Sequence, residues 1–435
     1  MQDLLFHNAT VITMCDERPV LYDAFVAVKG GRIVAVDCEG ELPEAKRRID
    51  CHGGVLMPGL INTHAHTAMT IMRGYADDYE LHNWLTQKVF PVEARLDERA
   101  VLAGARLGFA EMMRNGTTSV SDMYFFQPAV AQAALECGMR ASLSNAIIAL
   151  ADDYDLQKDR AMLETYELVR EWHGAGDDLI RADVAIHAEY TSPPSVWHSV
   201  VDIAKRHNLI LHTHVSETSA EHKACIARYG ISPTAVLARE GVFDVRTLAA
   251  HCVWADESDM CILAQRGVSV AHNPVSNLKL ASGVADITAL IQHGVNVSLG
   301  TDGCCSNNSL DMFEELKLAA LLAKYKRSDA SVIPAYEALK LATLNGARAQ
   351  GREGQTGAIR AGYAADIVLL DAEVLSLCPM YDPVGAVVYG ASGRDVRMTV
   401  INGRIVYDNG AFPTLDIDFV RAEAAGYAKN LVLSV

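Results

Sequence analysis

The sequence predicts an α/β fold: a (β/α)8 TIM-like barrel with additional β segments at both chain ends. Two observations carry this expectation. Eight strand-like segments run through the middle of the 435-residue chain, each separated from the next by helix-like sequence. That alternation is the signature of a closed barrel inside a ring of helices. Short β segments near each terminus lie outside it. A doubly wound open sheet is the alternative use of the same elements.

The elements follow in chain order. Residues 4–13 and 24–36 read as strands, the latter hinged by KGG in AFVAVKGGRIVAV. Barrel strands are expected at 59–63, 117–122, 140–147, 180–187, 209–215, 247–253, 268–272 and 296–301. The intervening DERAVLAGARLGFAEMMRNG has apolar positions at helical spacing and a glycine stop, and SLDMFEELKLAALLAKYK is a second such helix. Towards the C-terminus, ADIVLLD (365–371) and MTVINGRIVYDNG (398–410) read as strands, with Asn402-Gly403 as a hairpin signal. The length suits one large domain and a smaller one.

A formal net charge of −16 argues against nucleic acid as a partner, because phosphate backbones demand a basic surface. A free nucleoside carries no such charge and stays open. The opening MQDLLFHNATVITMCDERP lacks a basic flank, an apolar core and a small-residue cleavage site, so no signal peptide is expected. No apolar run approaches the ~20 residues that span a bilayer, so no membrane partner is expected. The ten cysteines show no CxxC pairing, and only Cys304 and Cys305 adjoin. That usage fits reduced thiols in a cytoplasm. A homo-oligomer is the common default for such chains.

Active sites of these barrels sit at the C-terminal ends of the strands, so the residues there matter most. PGLINTHAH closes the first strand with His64 and His66, whose i, i+2 spacing aims both imidazoles at one spot. LILHTHVSET ends the fifth with His212 and His214, followed by Glu217. His251 marks the sixth, Asp302 the eighth and His187 the fourth. Six of the chain's 15 histidines thus fall at strand ends on one face, which scattered placement would not give.

His64, His66, one histidine of the fifth strand and Asp302 make a donor set for one divalent metal with an open position, a catalytic arrangement. Of His212 and His214 only one need bind. His214, nearer the mouth, is taken as the ligand and His212 as its support. Cysteine is absent from these strand ends, which points away from a structural zinc module. The fourth strand, RADVAIHAEYTS, has no lysine to bridge a second metal. Zn²⁺ is expected, and Fe²⁺, Mn²⁺ or Co²⁺ suit the same donors. A bound Zn²⁺ brings the pKa of water to about 7. Attack on an sp² carbon then needs proton transfers. Glu217 is placed to shuttle a proton to a ring nitrogen, Asp302 to take the water proton and His251 to orient the nucleophile. The bland readings are a first-turn helix carboxylate for Glu217 and a core histidine for His251.

PGLINTHAH, HVSE, AAHCVW, HNPVSNLKL and LGTDG together resemble the amidohydrolase superfamily over nearly the whole chain. MRGYADDYELHNWL, VFPVEARL and GTDGCCSNNSLDMFEELKLAALL are similar to its branch that deaminates 5′-methylthioadenosine and S-adenosylhomocysteine. The resemblance implies a split β-sandwich domain from 1–56 and 365–435, and a metal-dependent barrel over 57–364. It implies metal binding by His64, His66, His214 and Asp302, and substrate contacts from Glu93, Arg160, His187 and Glu217. A lone carboxylate such as Glu93 can accept two hydrogen bonds from a ribose diol. Arg160 can pair a homocysteine carboxylate, and Trp84, in an expected loop, can cover an aromatic base. One departure stands out. The family often carries an arginine after the third strand, where MRASLSNAII here offers Asn145 as the candidate substrate contact. Losing that cation tilts the expectation towards uncharged 5′-substituents: 5′-methylthioadenosine, 5′-deoxyadenosine or adenosine. The competing functions are an aminohydrolase acting on a guanine, pterin or triazine ring, and a non-catalytic scaffold. The scaffold reading predicts missing ligands, and none is missing.

Overall fold

The computed structural model describes residues 1–79, 83–150 and 154–432. Glu80, Leu81 and His82 of the MRGYADDYELHNWL motif lie outside the described residues. The N-terminal strands are β1 (Gln2–Ile12), β2 (Val20–Lys29), β3 (Arg32–Asp37), β4 (Ala45–Asp50) and β5 (Val55–Pro58). The central ones are β6 (Leu60–His66), β7 (Thr117–Tyr124), β8 (Arg140–Asn145), β9 (Ile180–Ala182), β10 (Val184–Ala188), β11 (Leu211–Val215), β12 (Thr247–His251), β13 (Ser269–His272), β14 (Asn296–Leu299) and β15 (Asp302–Gly303). Near the C-terminus come β16 (Ile367–Leu370), β17 (Val396–Ile401) and β18 (Arg404–Asp408).

Strands from the two chain ends join in one eight-stranded sheet, ordered β18-β17-β16-β5-β1-β2-β3, with β4 parallel on β1. The seam is the antiparallel pair β5–β16. Phe6, Val26, Ile33, Leu369 and Val400 share one core, so the expected sandwich is built from a single continuous sheet. The KGG hinge holds: Gly30 and Gly31 both take positive φ, as the tight β2–β3 turn demands. The boundary expected after residue 56 falls inside β5, whose pairing with β16 continues to Pro58. Nor does the C-terminal segment serve the sheet alone. Its helix Pro383–Tyr389 buries Val384 and Val387 in the barrel-side core, and Ile417–Val432 buries Ala424 beside the helix Glu98–Arg114.

The barrel is all parallel and consists of two arcs, β15-β6-β7-β8-β9 and β10-β11-β12-β13-β14. The fourth and eighth expected strands are each split, because each changes neighbour midway. Around Asp183, β9 pairs with β8 and β10 with β11. Asp183 straddles the change: its N–H donates to the Leu143 carbonyl at 2.8 Å, and its carboxylate accepts from the Ile210 N–H at 3.3 Å. Around Gly300 and Thr301, β14 pairs with β13 and β15 with β6. A Cβ on Gly300 would lie 2.8 Å from the His64 backbone nitrogen, so only glycine permits this close approach. The first strand runs to His66, beyond its expected end, because its pairing continues through Ala65–Asp302 and His66–Gly303. The third stops at Asn145.

Between the strands, helices start where capping chemistry directs. Asp97 accepts from the Ala100 N–H, and Asp311 accepts from the Phe313 N–H to open Met312–Arg327. Arg140 on β8 pairs bidentately with Asp366 beside β16, at 2.7 and 3.0 Å, with both side chains buried. This pair ties the barrel to the end sheet. No helix among the described residues is long and apolar enough to cross a membrane, and all ten cysteines are unpaired.

Candidate active site

Strand alternation on β6 turns His64 and His66 to one face. The Nδ1 atoms of three imidazoles are occupied by the barrel. His64 Nδ1 lies 2.9 Å from His212 Nε2, His66 Nδ1 donates to the Met123 carbonyl, and His214 Nδ1 donates to the His187 carbonyl at 2.7 Å. A proton held on Nδ1 leaves the Nε2 lone pair free. His64 Nε2 is fully buried without a hydrogen-bond partner among the described residues. Ligand atoms of His64, His66 and His214 lie within 4.8 Å of one another, as do those of His64, His251 and Asp302. Asp302 Oδ1 lies 3.4 Å from His64 Nε2 and 3.2 Å from His66 Nε2, while Oδ2 accepts from Ser276 at 2.6 Å and Ser306 at 2.9 Å. Burial works against the Asp302 carboxylate, but the neighbouring His64 and His66 imidazoles outweigh it and hold its pKa well below the usual range. An orphaned buried nitrogen facing converging lone pairs and a carboxylate fits a divalent metal ion.

His251 and Asp302 both adopt positive φ, +73° and +62°, uncommon for residues with a Cβ and concentrated at functional sites. The amide nitrogens of Asn273 and Asn277 lie 3.3 and 2.9 Å from His251 Nδ1. Donation from either leaves the ring's single proton on Nε2, which lies 3.8 Å from Glu217 Oε2. Burial drives the His251 pKa down to about 4, keeping the ring neutral. Burial, reinforced by the Asp302 charge, pushes Glu217 up to about 8. Glu217 does not begin the following helix. Thr218 caps Ser219–Tyr229 in a capping box with Glu221, so Glu217 stays free to line the cavity.

Glu93 ends the short helix Phe90–Glu93 and accepts a hydrogen bond from the Tyr124 hydroxyl at 2.8 Å. Burial raises its pKa to about 7, against the pull of that bond. His187, Trp84 and Glu93 line the same cavity as His66, His214, Glu217, His251 and Asp302. Trp84 opens a π-helical turn, Trp84–Val89, where a loop was expected, and its buried indole N–H has no partner among the described residues. Two expected contacts are not brought in. Asn145 is absent from the lining: its Oδ1 accepts from the Gln127 N–H at 3.2 Å, at the start of the helix Gln127–Cys137. Ile148 is the residue after β8 that reaches the cavity wall. Arg160 borders only a neighbouring apolar recess. Sequence reasoning missed Tyr124, Ile148 and the Asn273/Asn277 pair. Tyr124, a polar tip at the end of β7, was open to the rule that found the histidines.

The sequence profile of the amidohydrolase family matches residues 55–406. The chain is 42% identical to a 5-methylthioadenosine/S-adenosylhomocysteine deaminase of Pelotomaculum thermopropionicum, covering 99% of each chain. It is 42% identical to a 5′-deoxyadenosine deaminase of Methanococcoides burtonii, over 100% of this chain and 99% of the relative. Its fold superimposes on an adenosine deaminase from Xanthomonas campestris with bound zinc, with a TM-score of 0.93 and 36% identity, covering 100% of this chain and 99% of the other. The chain belongs to the amidohydrolase family.

Proposed function

We infer that the protein is a metal-dependent hydrolase that deaminates adenine nucleosides. Its substrates are 5′-methylthioadenosine, S-adenosylhomocysteine, 5′-deoxyadenosine and adenosine, and the first two yield 5′-methylthioinosine and S-inosylhomocysteine. Full-length relatives with these activities in their names support the substrate class. The observation that carries the reading is one cavity holding the imidazole cluster, the Glu217–His251 pair and Glu93.

His64, His66, His214 and Asp302 would hold one divalent ion per subunit, Zn²⁺ first, with Fe²⁺, Mn²⁺ and Co²⁺ suited to the same donors. When bound, such an ion supplies Lewis acidity that brings the pKa of water to about 7. The residues do the rest. His251 donates from Nε2 and orients the attacking water. Asp302 takes its proton at Oδ1. Glu217, protonated near neutral pH, gives a proton to the purine ring nitrogen beside the carbon under attack. A C–O bond forms at that carbon, and Asp302 passes the proton it took to the exocyclic amine. The C–N bond breaks and ammonia leaves, and the remaining hydroxyl proton returns to Glu217 as the C=O bond of the product forms. Glu93 accepts the ribose diol, and Trp84 and His187 enclose the base. Ten unpaired cysteines support a cytoplasmic setting, and a homo-oligomer is the assembly proposed.

An ammonia-release screen of the zinc-loaded protein against adenine nucleosides, guanine and melamine tests this reading. Release from adenine nucleosides is expected. Silence on all of them removes the substrate assignment, whatever the ion content.

A further inference from the structure

Glu315, near the start of the helix Met312–Arg327, is only 1% exposed and makes no ion pair among the described residues. A carboxylate so placed is costly unless donors meet it, and two do. Oε1 accepts from the Asn307 side-chain amide at 2.6 Å, and Oε2 from the Val275 N–H at 3.2 Å. That N–H lies in the first turn of the helix Pro274–Lys279, where no carbonyl of the helix reaches it.

Each donor stands beside a residue that holds Asp302. Val275 precedes Ser276, whose hydroxyl donates to Asp302 Oδ2 at 2.6 Å. Asn307 follows Ser306, which donates to the same oxygen at 2.9 Å. The Asn307 amide also donates at 2.7 Å to the carbonyl of Thr301, the residue before Asp302. Asp302 has a φ of +62°, a conformation that persists only where the surroundings over-determine it. Glu315 itself makes no hydrogen bond to Asp302 and does not line the cavity.

Resting on the ion-binding role inferred for Asp302 above, we propose that Glu315 is a positioning residue for that carboxylate. It ties the segment after β13 to the segment after β15 and so sets the two serine hydroxyls that claim Oδ2. Oδ1 is then left to face the Nε2 atoms of His64 and His66. A glutamine in its place accepts on one oxygen only, so one tie is lost and a donor is set against a donor.

The test is zinc affinity, read by competition against a chelator, with kcat and KM for 5′-methylthioadenosine at saturating zinc. Glu315→Gln should weaken zinc binding about tenfold. It should lower kcat several-fold and leave KM within about twofold, because Glu315 lies away from the bound nucleoside. Asn307→Ala, which cuts the tie to Thr301 and keeps Glu315, should weaken zinc binding in the same direction. Should Glu315→Gln fail to fold, Asn307→Ala carries the test alone. Glu315→Gln added to Ser276→Ala should cost less than the two separate losses together, because the second change cuts a tie whose object is gone. Unchanged zinc affinity in these variants, additive losses in the double variant, or a loss confined to the urea midpoint overturns the proposal. Unmodified protein that binds no zinc ends the reading of Asp302 as a ligand, a result distinct from tight binding that Glu315→Gln leaves unaltered.

Discussion

His212 Nε2 lies 2.9 Å from His64 Nδ1, although the residues are 148 positions apart. Both rings are buried, so this contact sets which nitrogen of His64 carries its proton and which faces the cavity. His212→Ala should weaken ion affinity about 10- to 100-fold, read by competition against a chelator. His212→Gln, which keeps an acceptor, should lose less. Equal loss in both variants would mean that packing, and not the hydrogen bond, is what matters.

Glu93 offers a second handle. Glu93→Gln should lower kcat/KM for nucleosides about 10- to 100-fold, the worth of a hydrogen bond to a charged group, and leave free-base turnover nearly untouched. Parallel assays on adenosine and adenine check this. A matching drop on the free base would reassign Glu93 to holding its helix in place.

The acid role of Glu217 has a pH signature. Its pKa, raised to about 8 by burial, makes the carboxyl protonated below that pH and ionised above it. A group that must enter protonated gives a rate that falls as pH rises, and a bound cation lowers the pKa further. The alkaline limb of kcat/KM should therefore lie at or below about 8. Glu217→Gln should cut kcat about 10²- to 10⁴-fold with ion content unchanged, measured by metal analysis of the purified variant.

Arg140 and Asp366 make the fourth case, one of stability. Asp366→Ala leaves a buried guanidinium without its carboxylate and also removes the acceptor for the Asn402 N–H. A loss of about 3–5 kcal/mol is expected, seen as a lower urea midpoint. A change below 1 kcal/mol would show that the barrel and end sheet hold together without this pair.

The histidine-bearing strand ends were legible because alternation on a strand is a local rule: His64 and His66, or His212 and His214, share a face wherever the strand lies. The splits at Asp183 and Gly300 were not, because each marks a change of hydrogen-bonding neighbour between segments far apart in the chain. The same limit misplaced Asn145. Its identity says that it can bond, but the Gln127 N–H that claims it becomes a neighbour only once β7 and β8 lie side by side. Trp84 was placed in a loop because nothing in its flanking sequence signals a π-turn.

The barrel's two arcs contribute unequally to the cluster. His64, His66 and Asp302 come from one, His214 from the other. An ion shared among them, as proposed above, would rivet the two half-cylinders together. By mass action such a rivet favours the assembled cylinder over its opened form. Endurance under heat or protease attack should therefore rise and fall with the trace-metal supply, whether or not a nucleoside is there to be turned over.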